Sequence, residues 1–274
     1  MKTVFNKFPN ALKFVLAILL FGVALFISGL TNKGIVKQYI PYVAPVLLFI
    51  ATWYLYKTDK QSLRAIGLNF NLKNISFLPL GVFLGALALI GAKYFRALYV
   101  GETFEISTTI NYTTILYAFY FILPQVATEE FLFRGYSFKK TIKVSNVLIA
   151  NVIFSILFML IHVLDENVLN NKGMVLMLVI TIPFGHLLFA TALLKSKTLF
   201  FPIGLHLGNN WATRHLISGS NSGDSILHIP EVATFDTWTP FIISILIFNG
   251  FFLLVTSFIW KWDKIVLLLK QKSS

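Results

Sequence analysis

The chain has 274 residues, of which 57% are hydrophobic and only 12% charged, and its mean hydropathy is +0.76. A soluble domain carries about 25% charged residues, so this composition excludes an ordinary soluble fold and indicates a polytopic membrane protein. The absence of cysteine excludes disulfides, thiolate metal sites and cysteine nucleophiles, and in a membrane chain the net charge of +12 reflects topology sorting and not nucleic-acid binding.

Eight mostly apolar windows are each long enough to cross a hydrocarbon layer of about 30 Å. In order they are Phe14–Leu30, Tyr39–Tyr56, Ile75–Ala92, Tyr112–Phe133, Asn146–Leu164, Met174–Leu194, Leu199–Ile217 and Pro240–Trp260. The expected fold class is therefore all-α, a polytopic membrane bundle of eight transmembrane helices. With both termini cytoplasmic, the inner segments hold seventeen of the 23 Lys and Arg residues, among them Lys57, Lys60, Lys139, Lys140, Lys195 and Lys261. The outer segments hold Lys33, Lys37, Lys93, Arg96, Lys172 and Arg214. That bias is what positive-inside sorting expects. The first window is longer than a signal-peptide core and is read as retained.

Three regions follow. Residues 1–111 form an N-terminal three-helix membrane region with a cytoplasmic linker at 57–74, where Leu63, Ile66 and Leu68 suit the membrane interface. Residues 112–217 form a four-helix core that holds the polar side chains. Residues 218–274 supply an outer loop and the last helix. The loop, residues 218–239, exceeds ordinary loop lengths and reads as a lid or as disorder.

Ionisable groups within spans are costly and mark function by default. At the end of the fourth window stands Glu129-Glu130-Phe131-Leu132-Phe133-Arg134. Glu130 and Arg134, at i and i+4, share a helix face and can neutralise each other. Glu129 is turned about 100° away and lacks that partner. Pro124 removes one helix bond and is expected to kink this helix. In the fifth window Phe158 and His162 are one turn apart, so the ring can wall the imidazole from lipid. In the seventh, His206 and Asn210 point the same way, and Gly204 and Gly208 permit close helix approach. His186 reads as a packing residue, and His215 and His228 as solvated. One acid, two histidines and an amide from three helices can position a water, remove its proton and steady an oxyanion. For Glu129 to meet the others, the fourth helix must run on to about Phe138, and the fifth must begin in the cytoplasm or tilt.

The ordered motifs Glu129-Glu130-x-x-x-Arg134, Phe158-x-x-x-His162 and His206-x-x-x-Asn210 resemble the CPBP family. This is the family of CaaX prenyl proteases and bacteriocin-processing enzymes, also called Abi proteins; the resemblance covers roughly Tyr112 to Ile217. It implies an intramembrane endopeptidase of the cell membrane, most simply a bacterial plasma membrane. Its substrate would be a peptide or lipidated peptide held in membrane lipid. Glu129 would activate water with His162 assisting, and His206 and Asn210 would hold the oxyanion or the water. Glu130, Arg134 and Phe158 would support the site. No cofactor is required on this reading, although Glu129, His162 and His206 could bind a divalent metal such as zinc. Other intramembrane chemistries fit poorly, since no His-Glu-x-x-His occurs and the spans hold no aspartate. The alternatives from other classes are a transporter or proton-coupled channel, for which internal repeat symmetry is expected and none is evident, and a non-catalytic immunity or scaffold protein.

Overall fold

A computed structural model describes residues 9–272, with side chains described to residue 264. Among the described residues the chain is all-α apart from three two-residue strands. The helices of twelve or more residues are α1 (Pro9–Thr31), α2 (Val43–Thr58), α3 (Phe77–Val100), α4 (Tyr112–Arg134), α5 (Val147–Val163), α6 (Lys172–Ser196), α7 (Phe200–Trp211) and α8 (Trp238–Lys272). Each overlaps one of the eight apolar windows, with ends that differ by up to twelve residues. Four segments are long and apolar enough to cross a membrane, namely Pro9–Thr31, Leu72–Val100, Lys172–Ser196 and Trp238–Lys264. Helices α2 and α5 are apolar but shorter.

Local chemistry sets the helix boundaries. Asn111, Asn146 and Asn171 each accept the backbone N–H three residues on and so cap the starts of α4, α5 and α6. Pro124 lies inside α4 and cannot donate to the Tyr120 carbonyl. The hydroxyl of Tyr42, at the N-cap of α2, donates to that carbonyl at 2.9 Å, so the proline defect becomes a link to the start of α2. The fourth helix ends at Arg134 and not near Phe138. Gly135, with φ −76° and ψ −131°, breaks it, and a separate helix, Tyr136–Val144, follows. A side chain at Gly135 would place its Cβ 2.3 Å from the Phe131 carbonyl oxygen, so the break needs glycine.

The centre of the fold is α7. It is buried continuously from Phe201 to Gly208, and its twelve residues extend only ~18 Å. One π-helical turn, Ala212–Leu216, completes the seventh window. Its most extensive contact is with α3, where glycines on both helices let the backbones touch. A Cβ on Gly85 would lie 2.0 Å from the Leu205 carbonyl oxygen, and one on Gly208 would lie 2.0 Å from that of Val82. Helices α4 and α6 also pack on α7, α8 covers α3 and α6, and α1 packs on α2.

The two ends of the bundle differ. At the lysine-rich end the linker packs against the protein. Ile66 and Leu68 are buried, the Leu199 N–H donates to the Ile66 carbonyl, and the Thr198 hydroxyl donates to the Gly67 carbonyl. At the other end the loop 218–239 is tied down. Strand β1 (Glu105–Ile106) pairs antiparallel with β3 (Leu227–His228), and β2 (Ile217–Ser218) pairs parallel with β3. His228 is therefore buried and not solvated, facing Glu105 across the β1–β3 register. Glu102 pairs with Arg96 and accepts the Ala233 N–H, which fastens the same loop to α3.

Candidate active site

Helix α4 carries two acids, and the bundle treats them differently. Glu130 and Arg134 have no exposed side-chain surface and pair at 3.1 Å, as their i,i+4 spacing requires. The guanidinium lies 4.2 Å from the centre of the Phe158 ring and 5.2 Å from that of Phe189. An ion pair this deep needs a hydrogen bond for its remaining lone pairs. His206 of α7 provides one: its Nδ1 donates to Glu130 Oε1 at 2.8 Å. The His206 ring stacks on Phe189, with centroids 4.6 Å apart and planes 17° apart. Charge pair, aromatic ring and α7 backbone together leave the imidazole little freedom.

That orientation decides the environment of Glu129. Nε2 of His206 points at Glu129 Oε2 across 3.6 Å, which is too long for a hydrogen bond. The other carboxylate oxygen accepts from Gln125 Nε2 at 3.2 Å. Glu129 therefore has one oxygen held and one facing a histidine nitrogen across a small gap. The second histidine, His162, sits one turn from Phe158. Its Nδ1 donates to the Phe158 carbonyl at 2.8 Å, which leaves Nε2 as the acceptor of the neutral ring. Phe158 touches both imidazoles edge-on, His162 at 4.7 Å and His206 at 6.1 Å. It lies eleven residues into α5, whereas His206 lies six into α7. The two helices are thus offset by roughly 8 Å along their axes.

Glu129, His162, His206 and Asn210 all line one cavity of about 540 Å³, whose walls come from α3 to α8. Most of the lining is apolar and aromatic, including Leu89, Met177, Phe241 and Phe252. Several polar residues in it escape the sequence reading. Lys93 and Arg96, assigned from the sequence to an outer segment, stand on α3, which continues to Val100. Together with Arg214 they line the cavity towards the strand-bearing end. Lys93 is committed to the Ile217 carbonyl and Arg96 to Glu102. Arg214 makes a long contact of 3.4 Å with Gln125. Asn249 of α8 donates to Thr181 and also lines the cavity. Gln125 was legible in principle, since it precedes Glu129 by four residues on the same helix face.

The remaining histidines lie elsewhere. His186 is buried against Phe138 and Phe158, outside the cavity lining, as a packing residue would be. His215 Nδ1 donates to the Asp224 carbonyl at 2.7 Å. Among the described residues no three His, Asp or Glu side chains are grouped as a metal-ligand set.

No curated protein and no solved structure matches the chain. Residues 111–212 match the model of a family described as Type II CAAX prenyl endopeptidase Rce1-like. The match begins at the cap of α4 and ends just past α7, and so takes in Glu129, Glu130, Arg134, Phe158, His162, His206 and Asn210. The match agrees with the resemblance that the three ordered motifs carry: over residues 111–212 the chain is similar to the Rce1-like CAAX endopeptidases.

Proposed function

We propose that the protein is an intramembrane endopeptidase that hydrolyses a peptide bond of a membrane-associated or lipidated peptide bound in the central cavity. The observation that carries this reading is the gap between Glu129 Oε2 and His206 Nε2, 3.6 Å wide and set in the central cavity. It offers a water molecule a base on one side and a ring nitrogen on the other.

In this scheme Glu129 takes a proton from water as the oxygen attacks the scissile carbonyl carbon. The carbonyl oxygen becomes an oxyanion, which accepts from Asn210 and from His206 Nε2–H when that ring carries its second proton. The C–N bond then breaks and Glu129 returns its proton to the leaving amine. Water supplies the hydroxyl of one product and the hydrogen of the other. His162 Nε2 accepts from the incoming water and orients it. Glu130, Arg134 and Phe158 touch no reacting atom; they hold His206 and its surroundings. The reaction as drawn needs no metal.

The apolar walls suit an acyl, prenyl or apolar peptide segment. The far end carries Lys93 and Arg96, already committed to Ile217 and Glu102, and Arg214, whose long contact with Gln125 leaves it able to meet the anionic end of a peptide. All eight helices are assigned to the membrane, with both termini in the cytoplasm, following the lysine distribution. In that orientation the three cations mark the outer end of the cavity.

The test uses purified protein in liposomes with a mixture of lipidated and unmodified membrane peptides, products being followed by mass spectrometry. Wild type is expected to release defined fragments in the presence of a chelator. His206→Ala and Asn210→Ala should lower the rate by ~10² or more, as loss of an oxyanion donor does. Wild-type rates in His206→Ala, or loss of activity on chelation, would contradict the scheme.

A further inference from the structure

A second cavity, of about 290 Å³, opens at the lysine-rich end, remote from the catalytic chamber. It lies between the end of α2, the linker and the helix Tyr136–Val144. Its polar lining includes Tyr56, Asp59, Tyr136, Lys139, Lys140 and Lys143, with Gln61 at its side. Its one carboxylate is already satisfied. Asp59 accepts from Tyr136 and from Lys140, each at 2.9 Å, and pairs with Lys13 at 3.3 Å. Partial burial pushes the Asp59 carboxyl up, but hydrogen bonds from Lys140, Tyr136 and Lys13 outweigh it and hold the group below its usual value. Lys139 and Lys143 pair with no carboxylate among the described residues. Lys139 is also pushed below its usual value, first by burial and then by Lys197 nearby, a condition that an anion would relieve.

A second observation points to a ligand. Tyr56 is 3% exposed, its hydroxyl has no hydrogen-bond partner, and it lines this cavity beside the lysines. A buried hydroxyl with nothing to bond is costly. Unpaired ammonium groups together with a buried hydroxyl donor form a binding set for phosphate oxygens. The place favours a lipid over a soluble anion. The cavity sits where α2 ends, next to Trp53, which is exposed on that helix with Lys57 over its ring. Trp and Lys at a helix end are the pattern of the headgroup layer. Basic pockets between helices at that depth take anionic headgroups.

We infer that this cavity binds the phosphate of an anionic glycerophospholipid, with Lys139, Lys143 and the Tyr56 hydroxyl as its donors. The occupied site would brace the helix Tyr136–Val144, which joins Arg134 through Gly135 and packs on α5 through Phe138 and Phe154.

The test uses the full-length protein in detergent, titrated with phosphatidylglycerol or phosphatidylcholine and read by native mass spectrometry and thermal melting. Wild type should retain phosphatidylglycerol and melt higher with it, and phosphatidylcholine should do neither. Lys139→Gln/Lys143→Gln should weaken retention about tenfold or more, whereas Lys172→Gln, at the opposite end of α6 from Lys195, should not. Tyr56→Phe keeps the fold intact because it removes only an unpartnered group; it should weaken retention several-fold while leaving the lipid-free melting point unchanged or higher. Unchanged retention in the double lysine variant overturns the inference. Equal stabilisation by inorganic phosphate alone also overturns it, by making the site one for a soluble anion. Binding is read without proteolysis, so the result stands apart from the proposed activity.

Discussion

His206 Nδ1 lies 2.8 Å from Glu130 Oε1, the same oxygen that Arg134 reaches at 3.1 Å. This contact joins residues 76 positions apart, fixes which nitrogen of His206 is protonated, and aims the other at Glu129. It also makes Glu130 the more structural of the two acids. Glu130→Ala leaves Arg134 buried and uncompensated, and should destabilise the protein by about 3–5 kcal/mol. The double variant Glu130→Ala/Arg134→Ala should recover part of that loss, because no orphaned charge remains. Glu129→Gln should melt within a few degrees of wild type, since the amide keeps the bond to Gln125. Thermal unfolding of the four proteins in one detergent checks the ordering.

The α3–α7 contact leaves no room for a methyl group. Gly208→Ala would place Cβ 2.0 Å from the Val82 carbonyl oxygen, a backbone atom that cannot swing aside. It should push α7 outward, displace His206 and abolish activity, with a loss of stability of about 1–3 kcal/mol from overpacking. Gly22→Ala and Gly250→Ala meet nothing within 4 Å and should behave as wild type or melt slightly higher. Activity and melting of the three variants settle this.

Asp59 makes stability depend on acidity. Its carboxyl is held below the usual value in the folded protein by hydrogen bonds from Lys140, Tyr136 and Lys13, against the opposing effect of burial. A depressed carboxylate contributes stability that is fully present above its unfolded value of 3.8 and is lost as pH falls through the lower folded value. The melting temperature should therefore drop on acidification below about pH 4. Asp59→Asn should melt lower at neutral pH and show a flatter acid limb. Parallel acid limbs would assign the acid sensitivity to other groups.

Arg214 offers a positioning role that can be separated from chemistry. It lines the cavity within one amide side chain of Glu129, through Gln125. Arg214→Gln should raise KM for a peptide with a free carboxylate by about tenfold, with kcat changed much less. A peptide with an amidated terminus should show little difference between the two proteins.

The parts of this molecule that follow helix periodicity were readable in advance. The Glu130–Arg134 pair, the wall that Phe158 forms beside His162 and the burial of α7 all follow from i,i+4 spacing and the cost of polar groups in lipid. Contacts that cross the fold were not. Nothing local shows that Glu130 binds His206, because tertiary packing alone brings α4 to α7. That Lys93 and Arg96 stand on a helix was not readable, because hydropathy falls at Ala92 while the helix goes on to Val100. His228 looked solvated because two-residue strands leave no periodicity to read. Ile66 and Leu68 carried a correct apolar signal whose partner was protein and not lipid. Asn249 was the avoidable omission, since an amide in an apolar span is itself a signal.

The central claim is that Glu129 activates water for peptide hydrolysis. Its most direct measurement compares membrane-associated peptides, by mass spectrometry, from cells carrying the wild-type protein or Glu129→Gln at equal abundance. The account predicts fragments with new termini in the wild type, their loss by ~10² or more in the variant, and accumulation of the uncut precursors. The same fragments at the same levels in both cells would contradict it.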